Sequence, residues 1–153
     1  MEFKEGPIEG VVIKELQFYT DKRGWLTELF REDELPEGFR PAMAYVSLTY
    51  PGIARGPHEH KEQTDYFCFI GKFTLYLWDN RTDSPTYGNR MVIDDVDRML
   101  VVIPPGVVHA YKNTGQGDGL VINLPDRLYA GWGRREPVDE VRYEDDPESP
   151  FRL

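Results

Sequence analysis

The sequence has very little cysteine: Cys68 is the only one in 153 residues. It has no partner for an internal disulfide, which excludes a scaffold held together by disulfide bonds. Cys68 lies in "DYFCFIG", among aromatic residues on a predicted strand. We interpret it as a buried, inert thiol rather than a nucleophile. The expected compartment is the cytoplasm.

Long apolar runs and excess positive charge are also lacking. No run approaches the roughly 18 apolar residues of a membrane-spanning helix, and "MEFKEGPIEG" has no signal-peptide core. The chain carries 18 basic and 27 acidic side chains, for a formal net charge of −9. This balance disfavours general binding to nucleic acid or to anionic membranes. An anionic small molecule could still bind through a few local arginines.

Helical periodicity is scarce. Only "FREDELPEG" suggests a helix, and Pro36 and Gly38 limit it to about two turns. Alternation with a period of two dominates instead. In "KFTLYLWDN", Phe73, Leu75 and Leu77 are predicted to share one face of a strand, while the residues between them share the other.

Short segments of this alternating kind recur along the chain, separated mostly by Gly, Pro, Asn or Asp. The clearest are "GVVIKEL", "GWLTELF", "AYVSLTY", "RMLVVI" and "GLVINL". Many short strands with tight turns predict a single all-β domain over residues 1–153, an antiparallel sandwich or barrel with little helix. The charged, proline-bearing segment 125–153 is predicted to wrap the exterior of the barrel.

The three histidines carry most of the information about function. His58 and His60 are two residues apart, so on a strand they project from one face, roughly 6.6 Å apart. His109 follows the turn "IPPG" and shares a strand face with Tyr111. Two strands with inward histidines would converge inside a small barrel, where a ligand pocket forms readily.

These positions resemble the two motifs of the cupin superfamily, whose fold is a jelly-roll β-sandwich. In the first motif, Asp65 stands where the glutamate is usual. The second reads Pro104, Gly106, His109 and Asn113, with Arg98 in place of the leading glycine. Three imidazoles and a carboxylate (His58, His60, His109 and Asp65) would suit a divalent transition metal. Metal binding and metal-free proton transfer both remain open.

Most of the chain also resembles the dTDP-4-dehydrorhamnose 3,5-epimerase family. The stretches that carry this resemblance are "DKRGWLTELF", "SLTYPGIARGPH", "WDNRTDSPTYGN", "IPPGVVHAY", "LYAG" and "VRYEDDP", in family order and spacing from about residue 8 to 147. "RGPHEHKEQ" is locally similar to the dTDP-sugar 3,4-ketoisomerases. The resemblance implies a sugar-nucleotide isomerase of carbohydrate biosynthesis that acts on a dTDP-4-keto-6-deoxyhexose without a cofactor.

The resemblance also implies roles for individual residues. His58 would be the base that abstracts a proton next to the ketone, oriented by an acid from the tail, Asp145 or Asp146. His109 would lie beside it, and Arg55 would contact the developing enolate oxygen or another substrate oxygen.

Substrate binding would involve His60 and Tyr111 in the pocket, Tyr129 against the nucleotide, Arg23 at the diphosphate and Glu28 at the nucleotide. Arg23 and Glu28 would reach the pocket from an exchanged N-terminal strand of a homodimer partner.

Two departures from the family pattern affect the exact reaction. The tyrosine that serves as general acid is replaced by Ile122 or Asn123, and a pocket lysine is replaced by Thr64 or Asp65. Tyr111 is one candidate for the missing acid. Two alternatives follow: a metal-dependent cupin, such as a dioxygenase or isomerase, and a non-catalytic sugar-nucleotide-binding cupin.

Overall fold

The computed structural model describes residues 1–153, and β-strands form nearly all of its regular structure. The strands are β1 (Lys4–Glu5), β2 (Val12–Glu15), β3 (Phe18–Asp21), β4 (Gly24–Thr27), β5 (Tyr45–Thr49), β6 (Ala54–Glu59), β7 (Asp65–Ile70), β8 (Phe73–Asp79), β9 (Asn89–Val96), β10 (Met99–Ile103), β11 (Val107–Asn113), β12 (Gly119–Asn123) and β13 (Val141–Arg142). Two short 3-10 helices, Glu32–Glu34 and Trp132–Arg134, complete the regular structure. The chain contains no helix that could span a membrane.

The strands form a two-layer sandwich. One sheet has the order β1-β9-β8-β11-β6-β13 and the other has the order β2-β10-β7-β12-β5. All pairs except β1–β9 are antiparallel. The predicted all-β cupin-type sandwich is therefore confirmed. The helix expected in "FREDELPEG" is reduced to the single turn Glu32–Glu34, since the chain is already extended at Leu35 before Pro36.

The main core lies between the two sheets and follows the predicted alternation. Phe73, Leu75 and Leu77 of β8 point into it and are fully buried. Phe67 and Phe69 of β7 meet them from the other sheet. The alternate residues of β8 point outward, where Trp78 packs with Val108 and with Phe151 of the tail. The tail therefore covers part of the outer face of the six-stranded sheet.

The strands β6 and β11 approach each other closely at Gly56. This residue has a φ of +86°, and a Cβ built there would lie 2.6 Å from the carbonyl oxygen of His109. Only glycine combines this backbone conformation with such close contact. The approach places His58, two residues later, opposite His109 in the sheet register.

A hairpin of β3 and β4 pairs with neither main sheet. It exposes Tyr19, Trp25 and Leu26, and Phe18 stacks on Trp25 with ring centroids 4.7 Å apart. The Arg98 guanidinium lies 4.4 Å above the Phe18 ring and links the hairpin to the sandwich.

The packing predicts how stability responds to one core truncation. Phe69 is fully buried between the sheets, so Phe69→Ala should lower the free energy of unfolding by about 3–5 kcal/mol in urea titrations. Lys72→Ala is the control, because Lys72 and Asp95 form an exposed ion pair and its loss should cost at most about 0.5 kcal/mol. Equal losses in the two variants would contradict this packing.

Candidate active site

A pocket of about 950 Å³ opens between the two sheets at one end of the sandwich. The six-stranded sheet contributes Arg55, His58 and Tyr111 to its lining, and the five-stranded sheet contributes Tyr45 and Phe67. The segment 125–144 forms most of the remaining wall. A pocket of this size can accommodate a ligand as large as a typical cofactor or drug molecule.

The three histidines meet in this region, as the sequence predicts. The ring centroids of His58 and His109 are 4.6 Å apart, and those of His58 and His60 are 5.9 Å apart. The cluster is largely sealed from solvent: His60 and His109 are buried, and the His58 side chain is 17% exposed. One nitrogen of each ring lies within 4.8 Å of the others, so the three rings are close enough together to ligate one metal ion.

Asp65 organises the cluster from the start of β7. Its Oδ2 lies 3.0 Å from His60 Nε2 and 3.2 Å from His109 Nε2. Its Oδ1 accepts hydrogen bonds from Gln63 Nε2 and Asn123 Nδ2, each at 2.8 Å. Burial alone would raise the pKa of Asp65, but the contacts with His109 and His60 hold it well below its ordinary value. Asp65 is therefore a buried, fully partnered carboxylate.

His60 is held between two oxygen acceptors. Nε2 faces Asp65, and Nδ1 is hydrogen-bonded to the backbone carbonyl of Asp139. Burial opposes the charged form, but Asp65 and the Asp139 carbonyl outweigh it and raise the pKa of His60 to about 9. In His60 both nitrogens then act as donors, which only the protonated ring can do. His60 is thus a cation paired with Asp65.

His58 has the opposite environment. Burial, followed by the neighbouring His109 and His60, lowers its pKa to about 3. Its Nδ1 is buried without a hydrogen bond, and the nearest acid is Glu140, whose Oε1 lies 3.9 Å away. His58 is therefore neutral and has a nitrogen available to accept a proton.

The acid beside His58 comes from the tail, but it is neither Asp145 nor Asp146. Strand β13 pairs with β6 so that Arg142 lies opposite His58. Glu140, two residues earlier, therefore faces the same side. By Asp145 the chain has left the sheet: Asp145 is paired with Arg142 at 3.3 Å, and Asp146 accepts a hydrogen bond from the backbone N–H of Glu148.

The other predicted residues divide into two groups. Arg55, Tyr111 and Tyr129 line the pocket with His58 and His60. Arg55 is held in place by hydrogen bonds to Thr49 Oγ1 at 2.9 Å and to the Leu48 carbonyl at 3.0 Å.

Arg23 and Glu28 do not line this pocket. Both belong to the β3–β4 region, where Arg23 is 84% exposed and pairs with Asp21, and Glu28 lies 3.6 Å from Arg31. Within one chain, the two residues therefore lie outside the pocket that holds the histidines.

Sequence reasoning missed Tyr45 and the structural role of Asn123. The signal was an inverted alternation in "YVSLTY": Tyr45, Ser47 and Thr49 share one side of β5, while the apolar Val46 and Leu48 are exposed on the other. A polar face turned toward the sandwich interior is typical of a strand that lines a pocket rather than a core.

The hydrogen bonds bear on the metal alternative. Both nitrogens of His60 face oxygen acceptors, and His109 Nδ1 contacts the Val107 carbonyl at 3.0 Å while its Nε2 faces Asp65. A metal ligand needs a free lone pair on one ring nitrogen. His60 offers none in this arrangement, so the three histidines do not form a complete set of metal ligands.

The site combines one neutral histidine, one charged histidine and an arginine in a pocket within a cupin-type sandwich. These are the parts of an enzyme that moves protons on an anionic or carbonyl-bearing small molecule. Comparison with known proteins identifies the class more closely.

Residues 5–130 match the sequence profile of the dTDP-4-dehydrorhamnose 3,5-epimerase family. The chain is 40% identical over 126 residues to a probable low-salt glycan biosynthesis epimerase, Agl13, of Haloferax volcanii, covering 80% of this chain and 81% of that one. It is 39% identical over 126 residues to the spore coat polysaccharide biosynthesis protein SpsL of Bacillus subtilis, covering 80% and 82% of the two chains.

Among solved structures, the fold is similar to a dTDP sugar isomerase from Desulfovibrio desulfuricans, with a TM-score of 0.79 and 25% identity over 95% of this chain and 91% of that chain. The chain belongs to the dTDP-4-dehydrorhamnose 3,5-epimerase family. It is an enzyme of the epimerase and isomerase class, and the family resemblance read from the sequence is confirmed.

The two histidine pKa values predict a maximum of stability near pH 6.5. His60 has a folded pKa of about 9, above the ordinary 6.5, so its contribution is complete below pH 6.5 and is lost as the pH rises toward 9. His58 has a folded pKa of about 3, so its contribution is complete above pH 6.5 and is lost as the pH falls toward 3. Urea titrations across this range should show both declines.

The variant His60→Gln separates the two effects. It should flatten the decline between pH 6.5 and 9 and leave an acidic decline in place. A His60→Gln protein that loses stability above pH 6.5 as steeply as the parent chain would contradict the assignment of a charged His60.

Proposed function

We propose that this enzyme epimerises or isomerises a dTDP-4-keto-6-deoxyhexose by abstracting a proton from a carbon next to the ketone, with His58 as the base. The observation that carries the proposal is the contrast within one cluster between His58, whose Nδ1 has no hydrogen bond, and His60, which is held between Asp65 and the Asp139 carbonyl. The substrate class is supported by family membership. A 3'-monoepimerase of similar fold, ChmJ from Streptomyces bikiniensis, is described in complex with dTDP-quinovose.

The proposed step uses His58 Nε2, the nitrogen turned away from Glu140. A ketone acidifies the neighbouring C–H bond, and His58 takes that proton as the C–H electron pair moves toward the carbonyl oxygen. Proton transfer turns His58 into an imidazolium. The Glu140 carboxylate stabilises this cation by closing the 3.9 Å gap to His58 Nδ1. Catalytic hydrogen bonds are often long in the free enzyme and tighten when substrate binds.

Arg55 is proposed to stabilise the enolate oxygen. Its guanidinium is fixed by Thr49 and Leu48 before substrate arrives. A fixed cation needs no reorganisation when the negative charge develops, which is the property that makes such groups effective in the transition state. His109 and Tyr111 complete the wall beside the base, and Tyr129 is placed to pack against the nucleotide.

The proposed chemistry uses no metal and no organic cofactor. Its support is that Asp65 and the Asp139 carbonyl face the two ring nitrogens of His60, which leaves that ring no lone pair for a metal. The one cysteine is free and buried, as is common in a reducing compartment. We therefore propose a cytoplasmic enzyme.

The active assembly is proposed to be a homodimer in which the β3–β4 hairpin reaches the pocket of the partner. The hairpin exposes three large apolar side chains and pairs with neither main sheet of its own chain. The edge strand β5 also exposes Val46 and Leu48 on its outer face, and such edges are usually paired or covered. In this arrangement Arg23 would bind the diphosphate, and Glu28 the nucleotide, of a substrate in the partner's pocket.

Proton NMR in deuterium oxide with dTDP-4-keto-6-deoxyglucose tests the proposed base. The parent enzyme should incorporate deuterium at C3 or C5. His58→Asn should slow that exchange by at least about 100-fold, because the proton acceptor is lost. Lys72→Ala, on the surface, serves as the matched control and should exchange at the parent rate.

The same experiment tests the other two candidate functions. Exchange that persists in excess chelator supports metal-free chemistry, while its loss on chelation and recovery with a divalent metal would favour the metal-dependent cupin. A parent enzyme that binds dTDP but exchanges no proton of any such substrate would be a binding protein, and the proposed function would be wrong.

The assignment of Glu140 predicts a difference between two acids of the tail. Glu140→Gln should lower the rate constant of exchange at saturating substrate by about 100-fold, because the imidazolium of His58 loses its countercharge. Asp145→Asn should stay close to the parent rate, since Asp145 is exposed and paired with Arg142. Steady-state exchange rates for both variants decide between the two acids, and the reverse ranking would restore Asp145.

A further inference from the structure

The proposed function leaves one chemical requirement unmet. Inverting a carbon next to a ketone needs a base on one face of the carbon and a proton donor on the other. His58 stands on β6, in the six-stranded sheet. The donor must therefore come from the opposite side of the pocket, which is formed by the five-stranded sheet. The family tyrosine expected on β12 is absent there, and Ile122 and Asn123 occupy its place.

Neither β12 residue can donate the proton itself. Ile122 is apolar and packs on the outer face of the five-stranded sheet, against the cluster that contains Cys68 and Leu100. Asn123 is fully buried. Both N–H bonds of its amide are committed, one to Asp65 Oδ1 at 2.8 Å and one to the hydroxyl of Tyr45 at 3.1 Å.

Tyr45 is the residue that Asn123 holds in position. It lies opposite Asn123 in the register between β5 and β12, and it lines the pocket. We propose that Tyr45 is the general acid of the reaction and delivers a proton to the face of the substrate carbon opposite His58. This proposal rests on the proposed function and names the donor that the same site requires.

The direction of the Asn123 hydrogen bond leaves the Tyr45 proton free. Asn123 Oδ1 accepts a hydrogen bond from the backbone N–H of Tyr66 at 2.9 Å, which fixes the orientation of the amide. The amide therefore presents N–H to Tyr45, and the Tyr45 oxygen is the acceptor in that bond. Its own O–H is not used by Asn123 and is available to a group in the pocket.

The chemical environment also suits a donor. Burial raises the pKa of Tyr45 above its ordinary value, and the hydrogen bond from Asn123 offsets this only in part. The phenol is accordingly protonated at neutral pH. Tyr111, another phenol of the pocket, is 4% exposed and stands edge-to-face against Phe67, Phe69 and Phe73. Tyr111 therefore packs mainly as a residue of the core.

The complete step balances as follows. His58 takes the proton, and the C–H electron pair becomes the double bond of the enolate, with the carbonyl electron pair moving onto oxygen. The enolate then re-forms the ketone, and its double-bond pair takes the proton of Tyr45 on the other face. Tyr45 becomes a phenolate and His58 an imidazolium. Proton exchange with water returns both to their starting forms.

The test separates proton removal from inversion. Parent enzyme and Tyr45→Phe are incubated with dTDP-4-keto-6-deoxyglucose in deuterium oxide, and proton NMR follows both deuterium incorporation and the appearance of the inverted epimer. Tyr45→Phe should keep exchange within about a factor of ten of the parent, since His58 still works, while the inverted product falls by at least about 100-fold. Tyr50→Phe, just beyond the same strand and 67% exposed, is the matched control.

Each other result overturns the proposal. Inversion at the parent rate in Tyr45→Phe shows that this phenol is not the donor. Loss of inversion in Tyr111→Phe with inversion intact in Tyr45→Phe assigns the role to Tyr111. Loss of both exchange and inversion in a Tyr45→Phe protein of unchanged melting temperature shows that Tyr45 is needed to form the enolate, not to reprotonate it. Absence of exchange in the parent enzyme overturns the proposed function itself, so the two failures are distinguishable.

Discussion

The whole site depends on the burial of one carboxylate, Asp65, between two imidazoles. A buried charge is tolerated only when hydrogen bonds and an opposite charge replace the water that it has lost. Asp65 meets this condition with His60, His109, Gln63 and Asn123. In doing so it fixes the positions of His60 and His109, and His58 is the one ring of the cluster that it does not hold.

The same carboxylate connects the two sides of the pocket. Through Asn123, which contacts both Asp65 and Tyr45, it links the histidine cluster of one sheet to the phenol of the other. Sequence motifs that describe only the histidines miss this link, because Asp65 and Asn123 are 58 residues apart in sequence. They are neighbours only because β7 and β12 are adjacent strands.

Much of the fold was predictable from the sequence, for reasons visible in single strands. The alternation in β8 specifies which residues enter the core, and the structure follows it residue by residue. The histidine cluster was predictable because His58, His60 and His109 lie at motif positions on strands. Asp65 was predicted only as a metal ligand, although its role in the structure is to fix the two histidines.

What the sequence could not supply was register at the edges of the sheets. The acid beside His58 depends on how β13 aligns with β6, and β13 is two residues long. A pairing so short leaves little pattern to read, so Glu140 and Asp145 could not be ranked beforehand. Tyr45 was missed for a related reason, since its strand inverts the usual alternation and only the pairing with β12 shows what it faces.

The tail has a consequence for how the enzyme becomes competent. Asp139 supplies the carbonyl that holds His60, and its carboxylate accepts hydrogen bonds from the backbone N–H groups of residues 61–63, which follow His60. Glu140 faces His58. These groups follow β12 in the chain, so they leave the ribosome after every strand of the two sheets except β13. A nascent or proteolytically trimmed chain would therefore have its β-layers in place but a catalytic centre without two of its anchors. Turnover would begin only once the segment that carries Asp139 and Glu140 has docked.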